Sequence, residues 1–117
     1  MPRNDFAYLR HILDAIVRIE EYLKGVTEPN FHNRYLIQDG VIRQIEIIGE
    51  ATKQLSKETR ENNSHVPWRD IAGMRDKLTH HYFGVDMEEV WLTAKDDLPT
   101  LKREVEMILK AYNDIPT

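Results

Sequence analysis

The amino-acid sequence predicts an all-α protein, an up-and-down bundle of four to five helices in a single domain over residues 1–117. Apolar residues recur at intervals of three and four along most of the chain, which is the period of an amphipathic helix. No segment alternates strictly between apolar and polar residues, as a half-buried strand would. A chain of 117 residues with 41% hydrophobic content can bury one core, so one domain is expected.

The first helix is predicted to begin at Asn4 or Asp5, either of which can cap it, and to end near Gly25. Its apolar face is a line of residues that lie three or four positions apart: Phe6, Leu9, Leu13, Ile16, Ile19 and Leu23. The polar, proline-containing segment 27–30 then predicts a short loop, which would make the next helix antiparallel to the first.

The second helix is predicted from Phe31 or Asn33 to Leu55. Its apolar residues cover more than one stripe, which predicts burial on two sides, either at the centre of the bundle or in a dimer contact. Gly40 and Gly49 lie in its interior, where each costs up to about 1 kcal/mol relative to alanine. A close approach by another helix would explain both glycines.

The segments that follow predict shorter helices. Residues 56–65 are polar and predict a short surface helix and a turn. Pro67 suits the first position of a third main helix, whose apolar residues repeat at helical spacing. That helix is predicted to end between His81 and Gly84.

Aspartates mark the remaining boundaries. Asp86 and Glu89 fit a capping box at the start of a short helix. The run Asp96-Asp97-Leu98-Pro99 predicts a break after it, because the residue before a proline avoids α geometry. A last helix from Leu98 to Tyr112 would close the core.

Composition limits the possible functions. The absence of cysteine excludes disulfides and thiolate metal ligands and fits a reducing cytoplasm. The N-terminal residues lack the apolar core of a signal peptide, and no apolar run approaches the roughly 20 residues of a membrane span, so a cytoplasmic protein is expected. A net charge of −4 argues against a general nucleic-acid coat, so any nucleic-acid contact must come from a local patch.

The densest group of reactive side chains lies between Arg75 and Tyr82. Histidine can exchange a proton near neutral pH, and a guanidinium can neutralise phosphoryl oxygens, so Arg75 and His80 are the minimum equipment for metal-free RNA cleavage. On one ideal helix their directions would differ by about 140°. They converge only if the helix ends near His80, if the long arginine side chain reaches around, or if a second chain completes the site.

A purely structural interpretation of the same segment is also open. Arg75 would then pair with an acid of the second helix, and His80 and His81 would cap a helix C-terminus. The remaining histidines lack the spacing of a metal site, so no metal and no other cofactor is expected.

Arg43, Glu46 and Glu50 lie three and four residues apart on the second predicted helix. They form either an exposed ladder of ion pairs or a set of side chains that orients Arg75.

Several separated blocks resemble the HepT-like branch of the HEPN superfamily (higher eukaryotes and prokaryotes nucleotide-binding domains). In chain order these blocks are residues 36–43, 47–51, 67–75, 80–86 and 97–99. The family motif consists of an arginine, four residues, a histidine, any residue and a tyrosine. It falls on Arg75, His80 and Tyr82, with His81 in the variable position.

The resemblance implies a four-to-five-helix bundle that pairs as a homodimer, with the motifs of both subunits facing one cleft. It also implies an endoribonuclease toxin of a type VII-like toxin–antitoxin pair, with RNA as its substrate. Arg75 and His80 would be the catalytic residues, with Thr79 and His81 beside them. The partner would be a minimal nucleotidyltransferase antitoxin that silences the toxin by transferring AMP to Tyr82.

One position departs from the family pattern. Family members usually carry asparagine directly after the motif arginine, whereas this chain has Asp76. A carboxylate that faced the cleft would weaken phosphate binding, although Asp76 could instead pair with Lys77 or Arg75. Two alternatives to a nuclease therefore stay open: a non-catalytic module that binds a nucleotide or a partner protein, and a purely structural helical dimer.

Overall fold

The computed structural model describes residues 1–80 and 84–113, and of Thr79 and His80 it describes the backbone only. The regular secondary structure in this part of the chain is helical apart from one pair of two-residue strands, which confirms the predicted all-α class. The helices are α1 (Arg3–Leu23), α2 (Glu28–Phe31), α3 (Tyr35–Lys53), α4 (Lys57–Asn62), α5 (Trp68–Ala72), α6 (Met74–Lys77), α7 (Met87–Leu92) and α8 (Leu98–Asn113). The strands are β1 (Thr79–His80) and β2 (Gly84–Val85).

The three long helices, α1, α3 and α8, form the frame of the bundle, and α1 packs along both of the others. Each contributes an apolar stripe to one continuous core. Full burial of one such aliphatic side chain contributes about 1.5–3 kcal/mol relative to leaving it exposed. The side chains with the least exposure in this core include Leu9, Ile12, Ile16, Val41, Ile45, Ile48, Leu98 and Val105.

The segment predicted as a loop at residues 27–30 instead opens a one-turn helix, so that prediction is wrong. The Thr27 hydroxyl accepts a hydrogen bond from the N–H of Asn30 at 3.3 Å and caps α2. Pro29 occupies the second position of this helix, where its missing N–H costs nothing. The turn buries Phe31, whose carbonyl oxygen accepts a hydrogen bond from the Gln38 side chain at 2.9 Å.

Asp5 lies inside α1 and is buried, with 2% of its surface exposed, whereas the sequence predicted a cap. Its carboxylate accepts hydrogen bonds from the Ser56 N–H at 3.0 Å and from the hydroxyls of Ser56 and Thr59. Burial raises the pKa of the Asp5 carboxyl, but these hydrogen bonds outweigh it and hold the pKa below its ordinary value. Asp5 thus joins the start of α1 to the start of α4, which Ser56 caps.

Both interior glycines of α3 lie against α1 or α5, as the sequence predicted. A β-carbon at Gly49 would lie 3.2 Å from the backbone carbonyl oxygen of Ala72, at the end of α5. A β-carbon at Gly40 would lie 3.1 Å from the ring of Tyr22 on α1. The absence of a side chain at Gly49 therefore sets how closely α5 approaches α3.

We expect Gly49→Ala to lower the free energy of unfolding by about 1 kcal/mol, because a rigid carbonyl must move and the strain exceeds the gain in helix propensity. Gly40→Ala is the matched variant. It meets the far end of a tyrosine ring that is partly exposed and can turn, so it should be neutral or stabilising. Urea denaturation of both variants checks this prediction, and equal shifts of the two midpoints would contradict it.

The third main helix, predicted to run from Pro67 to the region of His81 and Gly84, is shorter and broken. Gly73 separates α5 from α6, and α6 ends at Lys77. Pro67 precedes α5 rather than opening it. The chain then enters β1, which pairs with the antiparallel strand β2.

The C-terminal helices differ from prediction at one junction. Asp86 accepts hydrogen bonds from the N–H groups of Glu88 and Glu89 at 3.0 and 3.2 Å, as one half of the predicted capping box requires. The predicted break at residues 96–99 is wrong, because a π-helical turn over Thr93–Asp97 joins α7 to α8. A wider turn displaces the carbonyl that the ring of Pro99 would otherwise meet, so the proline is accommodated without ending the helix.

None of the helices in the described residues combines the length and the apolar character needed to cross a lipid bilayer.

Candidate active site

Apolar side chains anchor the short helix α6 to the core and leave its charged side chains exposed. Met74 and Leu78 lie four residues apart and are both buried. Arg75, Asp76 and Lys77 between them are exposed. Helical spacing therefore fixes α6 by one face and presents the arginine on the other.

Arg75 forms an ion pair with Glu46 of α3. The Nε atom of the guanidinium lies 3.3 Å from Oε2 of the carboxylate, and the two side chains are 58% and 31% exposed. The pairing of Arg75 with an acid of the second predicted helix, which was one part of the purely structural interpretation, is therefore confirmed. An ion pair at such exposure adds at most about 1 kcal/mol to stability, so its main effect is to orient the guanidinium.

His80 lies on a different element from Arg75, because α6 ends at Lys77 and the chain continues into β1. The alternative in which His80 and His81 cap a helix C-terminus depends on side chains outside the described residues, so it stays a prediction. The side chains of Thr79 and His80, together with His81 and Tyr82, lie outside the described residues. Because the helix ends before His80, the angular separation of about 140° that one continuous helix would impose on Arg75 and His80 does not apply. A helix end near His80 was one of the conditions under which the two residues could converge.

The pairing of β1 with β2 fixes the position of the His80 backbone. Thr79 lies opposite Val85 and His80 lies opposite Gly84. The N–H of Asp86 donates to the carbonyl oxygen of Leu78 at 2.8 Å and continues the pairing. Gly84 has φ +80°, a left-handed conformation that L side chains rarely adopt, so a glycine suits this position.

Arg43 and Glu50 lie on α3 about one turn before and after Glu46, on the face toward α1. With Tyr8 and His11 of α1 they line a shallow groove of about 240 Å³. The Glu50 carboxylate lies 3.5 Å from the ammonium of Lys53, an exposed pair on the same helix. The structure thus brings Glu46 to Arg75, whereas Arg43 and Glu50 line the groove toward α1.

The described residues contain no group of three or more histidine, aspartate or glutamate side chains that could hold a metal ion. His65 instead pairs with Glu104 at 2.7 Å between Nε2 and Oε2. His11 and His32 are exposed on the surface.

A cleft that no sequence pattern indicated lies on another side of α6. Residues of α5 and α6 form one wall, and the π-helical turn and the start of α8 form the other. Its volume is about 360 Å³, and Met74 and Lys77 of α6 contribute to its lining. Lys77 lies about 200° around the helix from Arg75, so this cleft and the Arg75–Glu46 pair occupy different faces of the same turn.

Comparison with known proteins decides the family. A family model described as ribonuclease HepT-like matches residues 12–108. The chain belongs to the HepT-like ribonuclease family. This confirms the resemblance that the separated sequence blocks indicated.

The HepT-like chain is similar to several archaeal proteins. It is 50% identical over 110 residues to a Methanocaldococcus jannaschii protein named for a gamma-glutamylcyclotransferase and a "putative RNase"; this match covers 94% of the chain but half of that longer protein. It is 44% identical to a second protein of that organism named "putative RNase", over 94% of the chain and 92% of the relative. It is 42% identical to a "probable ribonuclease HepT" of Thermococcus cleftensis, over 94% of the chain and 100% of the relative. No solved structure matches the chain.

Proposed function

We propose that this HepT-like protein is a metal-independent endoribonuclease in which Arg75 stabilises charge on the scissile phosphate and His80 transfers a proton. Membership of the family and the names of the relatives support this class of activity. The observation that carries the proposal is the Arg75–Glu46 contact. A carboxylate orients an exposed guanidinium directly before the strand that bears His80.

The proposed reaction needs one cation at the phosphate and two proton transfers. The 2′-hydroxyl of the RNA attacks the adjacent phosphorus, a new P–O bond forms, and the bond to the 5′-oxygen breaks. Negative charge builds on the phosphoryl oxygens, where a guanidinium can stabilise it through charge-assisted hydrogen bonds. One imidazole can accept the proton of the 2′-hydroxyl or protonate the departing 5′-oxygen. The products are a 2′,3′-cyclic phosphate and a 5′-hydroxyl.

A homodimer would supply both proton transfers. One His80 in each subunit gives one base and one acid if the two motifs face a shared cleft, as the family resemblance implies. The same resemblance suggests that the protein is the toxin of a type VII-like toxin–antitoxin pair in the cytoplasm. Its antitoxin would be a minimal nucleotidyltransferase that transfers AMP to Tyr82 and thereby blocks the cleft.

Cleavage of a single-stranded RNA in the presence of EDTA tests the nuclease proposal. The wild-type protein should cut, and His80→Ala should be slower by about 100-fold or more, as expected for loss of a general acid or base. His32→Ala is the control, because it removes an exposed histidine that follows α2, outside the motif. Wild-type cleavage rates in His80→Ala would refute the role of this histidine.

We expect Glu46→Gln to lower kcat by several-fold with a smaller change in KM, because a neutral amide holds the guanidinium less firmly in its reactive orientation. Glu61→Gln is the control, since it breaks an exposed ion pair with Lys57 of similar length, 3.6 Å, on α4. Steady-state cleavage kinetics of the two variants measure the effect. Equal kinetics in both variants would contradict a positioning role for Glu46.

Intact-mass measurement tests the proposed regulation. After co-expression with a small nucleotidyltransferase of the toxin–antitoxin type, the protein should gain the mass of one or more adenylates. Tyr82→Phe should abolish the gain, whereas Tyr35→Phe should not, although Tyr35 is 74% exposed. Modification that persists in Tyr82→Phe would assign AMP to another residue.

A non-catalytic binding module is the second candidate, and the exposed Asp76 beside Arg75 favours it. A carboxylate next to the phosphate site opposes binding of RNA. Asp76→Asn removes this repulsion, so a nuclease should cleave faster as that variant. Binding of a nucleotide or of the nucleotidyltransferase, without RNA cleavage in either form of the protein, would select the binding module.

A further inference from the structure

The cleft between α5–α6 and the π-helical turn has an apolar floor. Val66, Ile71, Met74 and Leu101 line it, and all four are buried in the bundle. A volume of about 360 Å³ is large enough for one long side chain. The floor thus offers a surface to the aliphatic part of a guest.

The rim of the cleft is acidic. Asp70 of α5, Asp96 and Asp97 of the π-helical turn and Glu104 of α8 contribute four carboxylates. The cations that line the cleft are the ammonium of Lys77 and the imidazole of His65 when it is protonated, and His65 is paired with Glu104 at 2.7 Å. The excess of negative charge repels RNA phosphates, so this cleft does not extend the proposed RNA site. It suits a cationic guest.

We propose that this cleft is a docking site for an arginine side chain presented by a basic segment of a partner protein. The aliphatic stem of arginine would lie on the apolar floor while its guanidinium meets the carboxylates of the rim. Asp96 and Asp97 are adjacent, and two carboxylates suit the planar guanidinium of arginine, with its five donors, better than they suit the compact ammonium of lysine. They stand on a π-helical turn, a distortion that is frequent at functional sites.

Docking in the cleft would act on the Arg75–Glu46 pair through α6. Met74 and Lys77 line the cleft, and Arg75 lies between them on the same four-residue helix. A guest that displaces Met74 or Lys77 shifts this turn and with it the Arg75 side chain relative to Glu46. This regulatory consequence rests on the proposed function, whereas binding in the cleft does not.

A two-dimensional ¹H–¹⁵N NMR titration of the full chain with Nα-acetyl-arginine amide tests the docking site. Shift changes should centre on residues that line the cleft, with a dissociation constant of roughly a millimolar, as ligand efficiency gives for a probe of this size. Combined Asp96→Asn and Asp97→Asn substitution should weaken binding about fivefold or more. Glu58→Gln with Glu61→Gln on α4 is the matched control and should leave binding unchanged.

Three outcomes would overturn the proposal. The neutral isostere Nα-acetyl-citrulline amide could bind equally well, which would remove the role of charge. Spermidine could bind the cleft more tightly than the arginine probe, which would assign the site to a free polyamine. Shift changes could spread over the acidic surface or persist in the Asp96→Asn, Asp97→Asn variant. The titration contains no RNA, so its result does not depend on whether the protein cleaves RNA.

Discussion

Arg75→Ala should lower the rate of RNA cleavage by about 100- to 1,000-fold, the usual effect of removing a preorganised group that stabilises charge in the transition state. The loss should fall mainly on kcat, because phosphate charge grows as the 2′-hydroxyl attacks. The fold should survive. Arg75 is 58% exposed, and loss of its surface pair with Glu46 should change the free energy of unfolding by no more than about 1 kcal/mol.

Two further variants separate charge from geometry at this position. Arg75→Lys keeps the positive charge but loses the planar fork, so it should recover only part of the rate. Arg69→Ala removes another exposed arginine, on the neighbouring helix α5, and should cleave at the wild-type rate. Cleavage by Arg75→Ala within a factor of three of wild type would remove Arg75 from the mechanism.

Asp5→Ala is expected to give the largest loss of stability among single substitutions of polar residues, about 2–4 kcal/mol. Hydrogen bonds to a charged acceptor contribute about 1.5–3 kcal/mol each, but those made by Ser56 and Thr59 share one carboxylate and do not add fully. In Asp5→Ala the part-buried hydroxyl of Ser56 and the buried hydroxyl of Thr59 would lose this hydrogen-bond acceptor. Thermal denaturation should show a midpoint lower by roughly 10 °C.

The same carboxylate should make stability depend on acid. The folded pKa of Asp5 lies below its ordinary value, so its contribution is fully present above the unfolded pKa of about 3.9 and is lost as the pH falls through the folded pKa. Asp5→Ala should lack this part of the acid dependence. Asp14→Ala, which removes an exposed pair with Arg10 on the same helix, is the control. Equal midpoints for Asp5→Ala and Asp14→Ala at neutral pH would contradict this account.

The long helices were predictable because their signal is local. The three-and-four spacing along α1 and α8 reports which face is buried, whatever the partner helix. Gly49 was interpreted correctly for the same reason, since a glycine inside a helix indicates a close neighbour. Asp5 was interpreted wrongly, because an acid near the start of a helix has the same local pattern whether it caps its own helix or accepts hydrogen bonds from another one.

The errors occur where local signals compete. Thr27 and Pro29 carry the cap and first-turn signals of a helix, but a proline in a polar segment also indicates a loop. Gly73 separates α5 from α6 and so breaks the third predicted helix. The packing of α5 against α3 is a tertiary contact, which the spacing of residues in the sequence does not reveal. Pro99 indicates a break, yet a π-helical turn accommodates it.

The candidate site was predictable in its residue types and only partly in its contacts. The motif named Arg75 and His80 as candidates, and their catalytic roles stay a prediction. The acids of the second predicted helix were named as possible partners of Arg75, and Glu46 is one of them. Sequence spacing did not distinguish Glu46 from Glu50, because both lie on one face of α3. The acidic cleft was not predictable, because its walls come from α5, α6 and α8, and their approach depends on the fold as a whole.

The chemical ends of cleaved RNA test the central claim most directly. The claim is that a guanidinium and an imidazole act on one phosphate that is attacked by its own 2′-hydroxyl. Mass spectrometry of a short RNA cut by the purified protein in EDTA should show 2′,3′-cyclic phosphate or 3′-phosphate ends together with 5′-hydroxyl ends. Cleavage only with a divalent cation, or fragments with 5′-phosphate and 3′-hydroxyl ends, would contradict it.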